Sequence, residues 1–321
     1  MLFAAVSLAW GASFLFIKVA GTGLAAVQVM VGRLGLGAAL LVLVMLITRR
    51  RWPRGIRIWG NLLLISAFLC VIPFTLYAWA GQHIPSGLSS IYNATTPIAT
   101  LLVALALLPD ERLTRTRTVG LLIAATGVVV VASPWSLTLN EQNGTVLLLA
   151  QLACLGANLC YAIAFVLSRR LLRTGEYDAT TIAASQITLA AVLGLAISPF
   201  IGGLEPVHLD IPVVASMLAL GLVCTGVVYI WHATIIGAWG ATAGATVTYV
   251  TPLVGVVLGI AVLGETLHWN EPVGGLLILA GVLISQGLLT RGSLTRTARE
   301  RKESSTCSGG TSQSPAGRGA S

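Results

Sequence analysis

Charged residues are scarce in this 321-residue sequence, since only 9% of its positions are Asp, Glu, Lys or Arg. Hydrophobic residues make up 56% of it. A soluble domain carries about 25% charged residues, which cover its exterior. This chain has too few for that purpose. The composition therefore excludes a soluble globular class and makes lipid the solvent for most of the surface.

The sequence also lacks the motifs of metal, disulfide and ATP sites. Its five cysteines show no CxxC spacing, and four lie inside apolar runs, where cysteine is usually a small packing residue. No G-x-x-x-x-G-K-[ST] stretch occurs, so the chain has no P-loop of its own. We therefore expect no metal site, no cofactor and no ATP-driven pump within this chain. The cysteines are Cys70, Cys154, Cys160, Cys224 and Cys307.

Long apolar runs are abundant instead. A spanning helix needs roughly 20 apolar residues, and ten such runs predict an all-α integral membrane protein with ten transmembrane helices. We interpret the first run as a retained helix, because it lacks the basic start and cleavage site of a signal peptide. Residues 291–321 are polar and predict a disordered, basic cytoplasmic tail. The predicted spans are 2–20, 24–48, 57–80, 84–108, 118–134, 145–168, 180–201, 212–233, 237–263 and 271–290.

Basic residues occur on one side of the predicted membrane. The loops after spans two, four and six and the tail carry them, whereas the intervening loops carry no Lys or Arg. This bias predicts a multi-pass protein of the cell (plasma or inner) membrane with both termini in the cytoplasm. The net charge of +8 lies in short clusters without interleaved aromatic residues, so we predict no nucleic-acid partner. The loop clusters are Arg49, Arg50, Arg51, Arg54 and Arg57; Arg112, Arg115 and Arg117; and Arg169, Arg170 and Arg173.

The sequence repeats itself after roughly 150 residues, as LYAWAGQHI (76–84) and VYIWHATII (228–236) illustrate. The Gly-rich stretches VGLLIAATGVVV (119–130) and VGGLLILAGVLI (273–284) also match. We therefore predict two five-helix repeats, 1–134 and 145–290. Their matched pairs include Trp10 with Tyr161, Phe14 with Phe165, Tyr77 with Tyr229, Pro97 with Pro252, Glu111 with Glu265, Gly120 with Gly274, and Gly127 with Gly281.

The two repeats are predicted to be inverted, because an odd number of helices per repeat makes the copies face opposite sides of the membrane. The charges agree with this prediction. The basic cluster after span four falls opposite Thr266, Trp269 and Glu271, none of which is positively charged. Inverted repeats are a recurrent plan of secondary transporters, with the substrate site near mid-membrane.

Three features together resemble the EamA-type branch of the drug/metabolite transporter superfamily. They are WGASFLFIKVA (10–20), VGRLGLGAALL (31–41) and the doubled Pro…Glu…Gly-rich ending of each half. The resemblance covers nearly the whole chain up to residue 290 and depends on order, spacing and duplication. It implies two inverted five-helix bundles that often export metabolites such as amino acids or related compounds.

Arg33 is the sharpest candidate for substrate binding. It lies about nine residues into span two, or ~13 Å at the helical rise, where a charge is costly. Its guanidinium fork could bind a carboxylate-bearing substrate. The alternative is a structural arginine that caps carbonyls or snorkels outward. Its repeat partner, Gln186, is a milder hydrogen-bonding candidate.

Further polar residues lie on helices that line the central cavity in the resembled family. His232, the only intramembrane histidine, is a proton-coupling candidate, although a bond to a neighbouring helix is the alternative. Pro97 and Pro252 are hinge candidates, because proline removes a backbone donor and kinks a helix; ordinary tolerated kinks are the alternative. The remaining substrate-binding candidates are Tyr77, Tyr92, Asn93, Asn158, Tyr161, Tyr229 and Tyr249.

These features predict a secondary transporter, an exporter of small metabolites by alternating access, with a small-molecule substrate and the lipid bilayer as its partners. A membrane-embedded enzyme and a passive channel are the alternatives. All eleven acidic residues fall in loops, at span ends or in the tail, which disfavours an enzyme that needs clustered ionisable groups. The same distribution leaves both proton antiport and facilitated diffusion open, and nothing requires a second subunit.

Overall fold

The computed structural model describes residues 1–107, 113–133, 142–172 and 177–287, with backbone only at 142–143, 169–172, 179, 233, 236–246 and 248. Every regular element in these ranges is helical, which confirms the predicted all-α fold. Glu111 and the predicted tail lie outside the described residues. The α-helices are α1 (Leu2–Ala20), α2 (Ala26–Ile47), α3 (Ile56–Ser66), α4 (Ile72–His83), α5 (Ser86–Asn93), α6 (Thr96–Leu107), α7 (Arg115–Ala132), α8 (Gln142–Leu172), α9 (Ala179–Ile197), α10 (Ile211–Leu218), α11 (Val228–Leu263) and α12 (Asn270–Ser285).

The described helices contain eight segments that are long and apolar enough to cross a membrane. Two shorter apolar segments, Tyr249–Leu263 and Asn270–Ser285, bring the number to the ten predicted. Large apolar side chains on their outer faces are exposed, as in Leu122 at 62% and Leu195 at 63%. Lipid solvates such surfaces at no cost, so these faces fit a bilayer and not water. We call the end that holds the α1–α2 connection the outer end, because the basic residues predict that it faces away from the cytoplasm.

Helix α11 contains the end of predicted span eight and the whole of span nine. The loop predicted at 234–236 is helical, so that boundary was wrong. A straight helix would separate Tyr229 from Val254 by ~37 Å at the helical rise. Both residues nevertheless contact one turn of α1. Tyr229 meets the Trp10 ring, and Val254 lies against Gly11. The axis of α11 therefore bends back on itself between these contacts, as two successive spans require.

Helices α7 and α12, the last helices of the two repeats, pack against each other through matched glycines. A Cβ built on Gly120 would lie 2.5 Å from the Gly281 carbonyl oxygen, and one on Gly127 would lie 2.7 Å from that of Gly274. Exchanging the repeats converts the first contact into the second, because Gly120 matches Gly274 and Gly127 matches Gly281. The pair is antiparallel and related by a two-fold axis, which confirms the predicted inverted repeat.

Two π-helical segments occupy matching places in the repeats. Ala67–Val71 lies between α3 and α4, and Ala219–Val227 lies between α10 and α11. Each begins the same number of residues before its matched tyrosine, Tyr77 or Tyr229. Such π-helical turns re-aim nearby side chains and are frequent at functional sites. The two segments therefore make the interior between α2, α4, α8 and α11 a candidate location for the functional site.

Candidate functional site

Arg33 lies in the interior of α2 with 6% of its surface exposed. Its Nε–H donates a hydrogen bond of 2.8 Å to the Thr225 hydroxyl. Its Cζ lies 3.8 Å from the centre of the Phe74 ring. A hydroxyl and an aromatic face both stabilise a guanidinium without neutralising it. The structure therefore fixes the position of this cation and leaves its charge uncompensated by these two partners.

Thr225 reaches Arg33 because the second π-helical segment packs very closely on α2. A Cβ built on Gly37 would lie 2.6 Å from the Thr225 side chain, and one on Gly221 would lie 2.3 Å from a side chain of α2. The Thr225 hydroxyl also donates to the Leu220 carbonyl over 2.9 Å, the i−5 spacing of a π-helical turn. Sequence reasoning missed Thr225, whose only signal was a hydroxyl in an otherwise apolar run.

No carboxylate in the described ranges lies within salt-bridge distance of Arg33. The ion pair found there joins Arg50 to Asp178, and both side chains are partly exposed. The bond to Thr225 is also the only hydrogen bond that Arg33 makes in that part of the chain. Its terminal Nη groups, which give a carboxylate two parallel hydrogen bonds, are therefore not engaged by described residues.

Two pairs of aromatic rings are formed by matched residues of the two repeats. The centroids of Trp10 and Tyr229 are 6.2 Å apart, with an edge-on geometry. Those of Tyr161 and Tyr77 are 6.3 Å apart and stacked. Trp10 matches Tyr161 and Tyr229 matches Tyr77 in the repeats, so the two contacts are copies of each other. The two contacts differ in geometry, since the ring planes are 73° apart in the Trp10–Tyr229 pair and 23° apart in the Tyr161–Tyr77 pair.

Tyr161 and Tyr229 connect these aromatic pairs with Arg33. Tyr229 packs against the apolar cluster that contains Cys70 and Phe74, and the Phe74 ring lies under the guanidinium. Tyr161 packs against the same cluster, and its ring stacks on Phe165 at 6.3 Å. We use the term central site for Arg33, Phe74, Tyr161, Thr225 and Tyr229.

Asn158, on α8, is fully buried and fully hydrogen-bonded. Its Oδ1 accepts hydrogen bonds from the hydroxyls of Tyr77 (2.7 Å) and Thr96 (3.0 Å). Its Nδ2 donates to the Tyr92 carbonyl (2.7 Å) and the Thr95 hydroxyl (2.8 Å). These four bonds use the whole capacity of an amide. The arrangement favours a structural role, in which Asn158 joins α8 to α4 and to the break between α5 and α6.

The other polar candidates are placed less centrally. The Asn93 Oδ1 lies 3.5 Å from the Tyr77 hydroxyl, at the edge of the Asn158 cluster, and Asn93 is partly exposed. The hydroxyls of Tyr92 and Tyr249 are buried without a hydrogen-bond partner. The structure thus brings Tyr77, Asn93, Asn158 and Tyr161 together, whereas it gives neither the Tyr92 nor the Tyr249 hydroxyl a place in that network.

Gln186, the repeat partner of Arg33, is buried in α9 but does not lie opposite Arg33. Helices α2 and α9 are antiparallel, since Gly194 packs against Met30 and Thr181 lies beside Met45. Gln186 is closer in sequence to Thr181 than to Gly194. It therefore lies farther from the outer end of this helix pair than Arg33, which lies near the level of Gly194.

His232 and the two prolines have distinct environments. The His232 ring lies 4.8 Å from that of Trp10, at the end of the span Ile211–His232. Pro252 lies inside α11, where it removes a helical hydrogen bond as predicted for a hinge candidate. Pro97 instead lies in the first turn of α6, directly after the break that follows Asn93. Proline suits this helix start, and the role of Pro97 as a hinge stays a prediction.

Short helix α5 is held from the second repeat at its outer end. Glu265 accepts hydrogen bonds from the backbone N–H groups of Ser86 (2.6 Å) and Gly87 (3.0 Å) and from the Ser86 hydroxyl (3.0 Å). A carboxylate at a helix N-terminus binds otherwise unpaired N–H groups and complements the helix dipole. Nearby, the Lys18 ammonium donates to the Ile84 carbonyl over 2.8 Å. Glu265 thus joins the two repeats at this end, whereas the Lys18 bond lies within the first repeat.

Comparisons with known proteins agree with this architecture. The model of the EamA-like transporter family matches residues 1–133 and 148–286, one match for each repeat. An uncharacterized transporter of Archaeoglobus fulgidus is 25% identical over 292 residues, covering 89% of this chain and 96% of the relative. The uncharacterized transporter YoaV of Bacillus subtilis is 22% identical over 286 residues, with 89% and 96% covered.

A solved crystal structure has the same fold, with a TM-score of 0.60 and 18% sequence identity. The similarity covers 89% of this chain and 96% of that one. The family match spans both repeats, and the described helices show the inverted duplication that the match requires. The chain therefore belongs to the EamA-like transporter family and is a multi-pass membrane protein.

Proposed function

We propose that this transporter exports small metabolites that carry a carboxylate, such as amino acids or related compounds, and that Arg33 binds that carboxylate. The observation that supports the proposal is a buried guanidinium that is held in place by Thr225 and Phe74 and has no acidic partner among the described residues. A buried cation is costly unless something compensates it. A substrate carboxylate would supply the missing charge through the Nη groups.

The aromatic pairs beside Arg33 suit the rest of such a substrate. The rings of Tyr161 and Tyr229 offer apolar contact area, and their hydroxyls add polar tips that can orient a ligand. Each ring belongs to one of the two symmetric contacts with Trp10 or Tyr77. A ligand between them would meet equivalent surfaces from both repeats, which is the arrangement expected for a site exposed alternately to each side.

We further infer that transport follows alternating access. The pseudo-symmetry of the repeats supports this mechanism, because exchanging the conformations of two similar halves converts an inward-facing state into an outward-facing one. In the present structure, the hydrogen bonds that Glu265 accepts from the N-terminus of α5 join the repeats at the outer end. These bonds would have to break for the central site to open toward the outside.

The test is counterflow in proteoliposomes, in which unlabelled internal substrate drives uptake of a labelled one. The labelled panel consists of amino acids and other carboxylates, each paired with its uncharged amide or methyl ester. We expect the wild type to prefer the carboxylate. Arg33→Gln should remove this preference, a loss of roughly 10- to 150-fold for a charge-assisted hydrogen bond of about 1.5–3 kcal/mol. Arg33→Lys should retain part of it, since the charge persists without the planar fork.

Arg57→Ala is the matched control, because Arg57 is exposed in the first turn of α3. All variants are compared after gel filtration and thermal unfolding, so that a folding defect is separated from a binding defect. If a folded Arg33→Gln protein still prefers the carboxylate, the proposed role of Arg33 is refuted. A passive channel would move the labelled compound without stimulation by internal substrate, and this outcome would replace the carrier mechanism. The absence of enzymatic activity stays a prediction.

A further inference from the structure

Glu271 is a buried carboxylate near the outer end, although the sequence placed every acidic residue in loops, at span ends or in the tail. Only 5% of its surface is exposed, and its Oε2 is buried without a hydrogen-bond partner. An ionised carboxylate in such a place has lost its water without full compensation, whereas the protonated form has less to lose. An unsatisfied buried group in a native fold requires an explanation, and a bound proton is one.

The position of Glu271 is fixed by its neighbours on α12. The amide of Asn270 donates to the Val131 carbonyl over 3.1 Å, which anchors the first turn of α12 to the end of α7. Gly275 lies one turn after Glu271, and a Cβ built on it would lie 3.4 Å from the Ile91 side chain of α5. Residues four apart share a helix face. Glu271 therefore lies on the face of α12 that packs on α5.

Tyr92, the residue after Ile91, supplies the second unpartnered group. It is fully buried, and its hydroxyl has no hydrogen-bond partner. This hydroxyl is in electrostatic range of Glu271. A protonated carboxyl group has an O–H to donate, and a tyrosine hydroxyl can accept it or donate to the ionised form. The two unsatisfied atoms thus lie on adjoining faces of α5 and α12.

The other ionisable groups near Glu271 lie in the connection between α11 and α12. Glu265 and His268 are both in electrostatic range of it, and Lys18 of α1 is in range of Glu265. Among described residues, α7 contributes backbone carbonyls at this level and α5 contributes Tyr92. The two carboxylates repel each other when both are ionised, so protonation of Glu271 removes this repulsion.

Helix α5 connects this carboxylate pair to the candidate site. Its N-terminus is bound by Glu265, and its C-terminal residue, Asn93, borders the Asn158 cluster. The helix is only eight residues long, and all of them except Asn93 are buried. A shift of α5 at one end must therefore move the other end, because so short a helix has no internal break.

We propose that Glu271 is a proton-binding site of the transport cycle and that α5 transmits its protonation state to the substrate site. The inference rests on the proposed transporter function. The step is a simple protonation, in which the carboxylate takes a proton from the outer solution and later releases it. Loss of the negative charge removes its repulsion with Glu265 and gives Tyr92 a new donor. Both changes act on α5.

The first experiment uses the proton alone as the probe. Infrared spectra of the purified protein are recorded as a function of pH, and the C=O band of protonated carboxyl groups is followed. We expect a component that changes with pH in the wild type, is absent in Glu271→Gln and is kept in Glu205→Gln. Glu205 is the matched control because it is exposed in the α9–α10 connection. A band that is unchanged in Glu271→Gln would overturn the proposal.

The second experiment separates coupling from transport. A pH difference of one unit drives roughly tenfold accumulation if one proton exchanges for each substrate. We expect wild type and Glu205→Gln to accumulate the compound identified by counterflow, whereas Glu271→Gln should catalyse counterflow but show no accumulation. Accumulation by Glu271→Gln would refute the inference while the carrier function stands. Counterflow absent from the wild type would refute the carrier function itself, and the infrared result would then decide proton binding independently.

Tyr92→Phe guards against a folding defect in Glu271→Gln, because it removes only a hydroxyl, which is in electrostatic range of the carboxylate. We expect it to shift the infrared titration without abolishing it. A titration identical to that of the wild type would refute the proposed interaction between the two groups.

Discussion

Replacing Asn158 by leucine tests whether this residue is a structural clamp or a substrate ligand. Leucine has a similar shape but removes all four hydrogen bonds, which run to Tyr77, Thr95, Thr96 and the Tyr92 carbonyl. Side-chain hydrogen bonds between membrane helices contribute about 0.6 kcal/mol each on average and about 1.7 kcal/mol at most. Four of them give a loss of about 2–3 kcal/mol, and more if the orphaned hydroxyls find no water.

The assay is the free energy of unfolding in lipid bicelles, measured by steric trapping or by unfolding in increasing fractions of dodecyl sulfate. We expect Asn158→Leu to lose about 2–3 kcal/mol, as four average membrane hydrogen bonds require. Asn93→Ala is the control, because the Asn93 side chain has only long contacts of 3.5 Å within the same cluster. It should change the stability by less than about 0.5 kcal/mol.

An Asn158→Leu protein as stable as the wild type would refute the clamp. If it also lost transport, Asn158 would be a ligand after all. A protein that is destabilised and still transports whatever fraction remains folded would support the structural role.

Two further changes test the geometry around Arg33 and between the repeats. Thr225→Val removes the acceptor of the Arg33 Nε–H and should raise KM about tenfold or more, since hydrogen bonds to charged groups contribute about 1.5–3 kcal/mol. Thr126→Val is the control and should leave KM unchanged, because the exposed Thr126 hydroxyl donates only to the Leu122 carbonyl of its own helix. Gly127→Ala places a Cβ 2.7 Å from the Gly274 carbonyl oxygen and should destabilise the protein by about 1–3 kcal/mol. Gly60→Ala, which meets nothing within 4 Å, should be neutral or slightly stabilising in the same unfolding assay. Equal effects in either pair would contradict the packing described above.

Much of the site was predicted by residue type and only partly by position. Arg33 stands out in the sequence because a charge inside an apolar run is costly. Its partners do not stand out, since Thr225 lies 192 residues away and Phe74 is one of many apolar residues. The role suggested for Asn158 changed for the same reason. The sequence shows a polar side chain in a span, and only the structure shows that four other groups already use it.

The burial of Glu271 could not be predicted from the sequence, because this residue lies at the predicted start of a span. Hydropathy placed it at the start of the tenth span, where an acidic side chain normally faces water. The structure buries it because α12 packs along α7 through matched glycines, and this packing brings the first turn of α12 against α5. Side-chain burial at a helix end depends on the neighbouring helix, which hydropathy does not contain.

The sequence by itself determined the membrane class, the ten apolar segments and the inverted duplication, because hydropathy and repetition are properties of the chain read in order. The tertiary structure decided which side chains meet. The close approach of glycine-lined helices brings Thr225 to Arg33, brings Glu265 to the N-terminus of α5 and leaves an oxygen of Glu271 without a partner. These contacts join residues far apart in the chain, so they depend on how the helices pack and not on any local pattern.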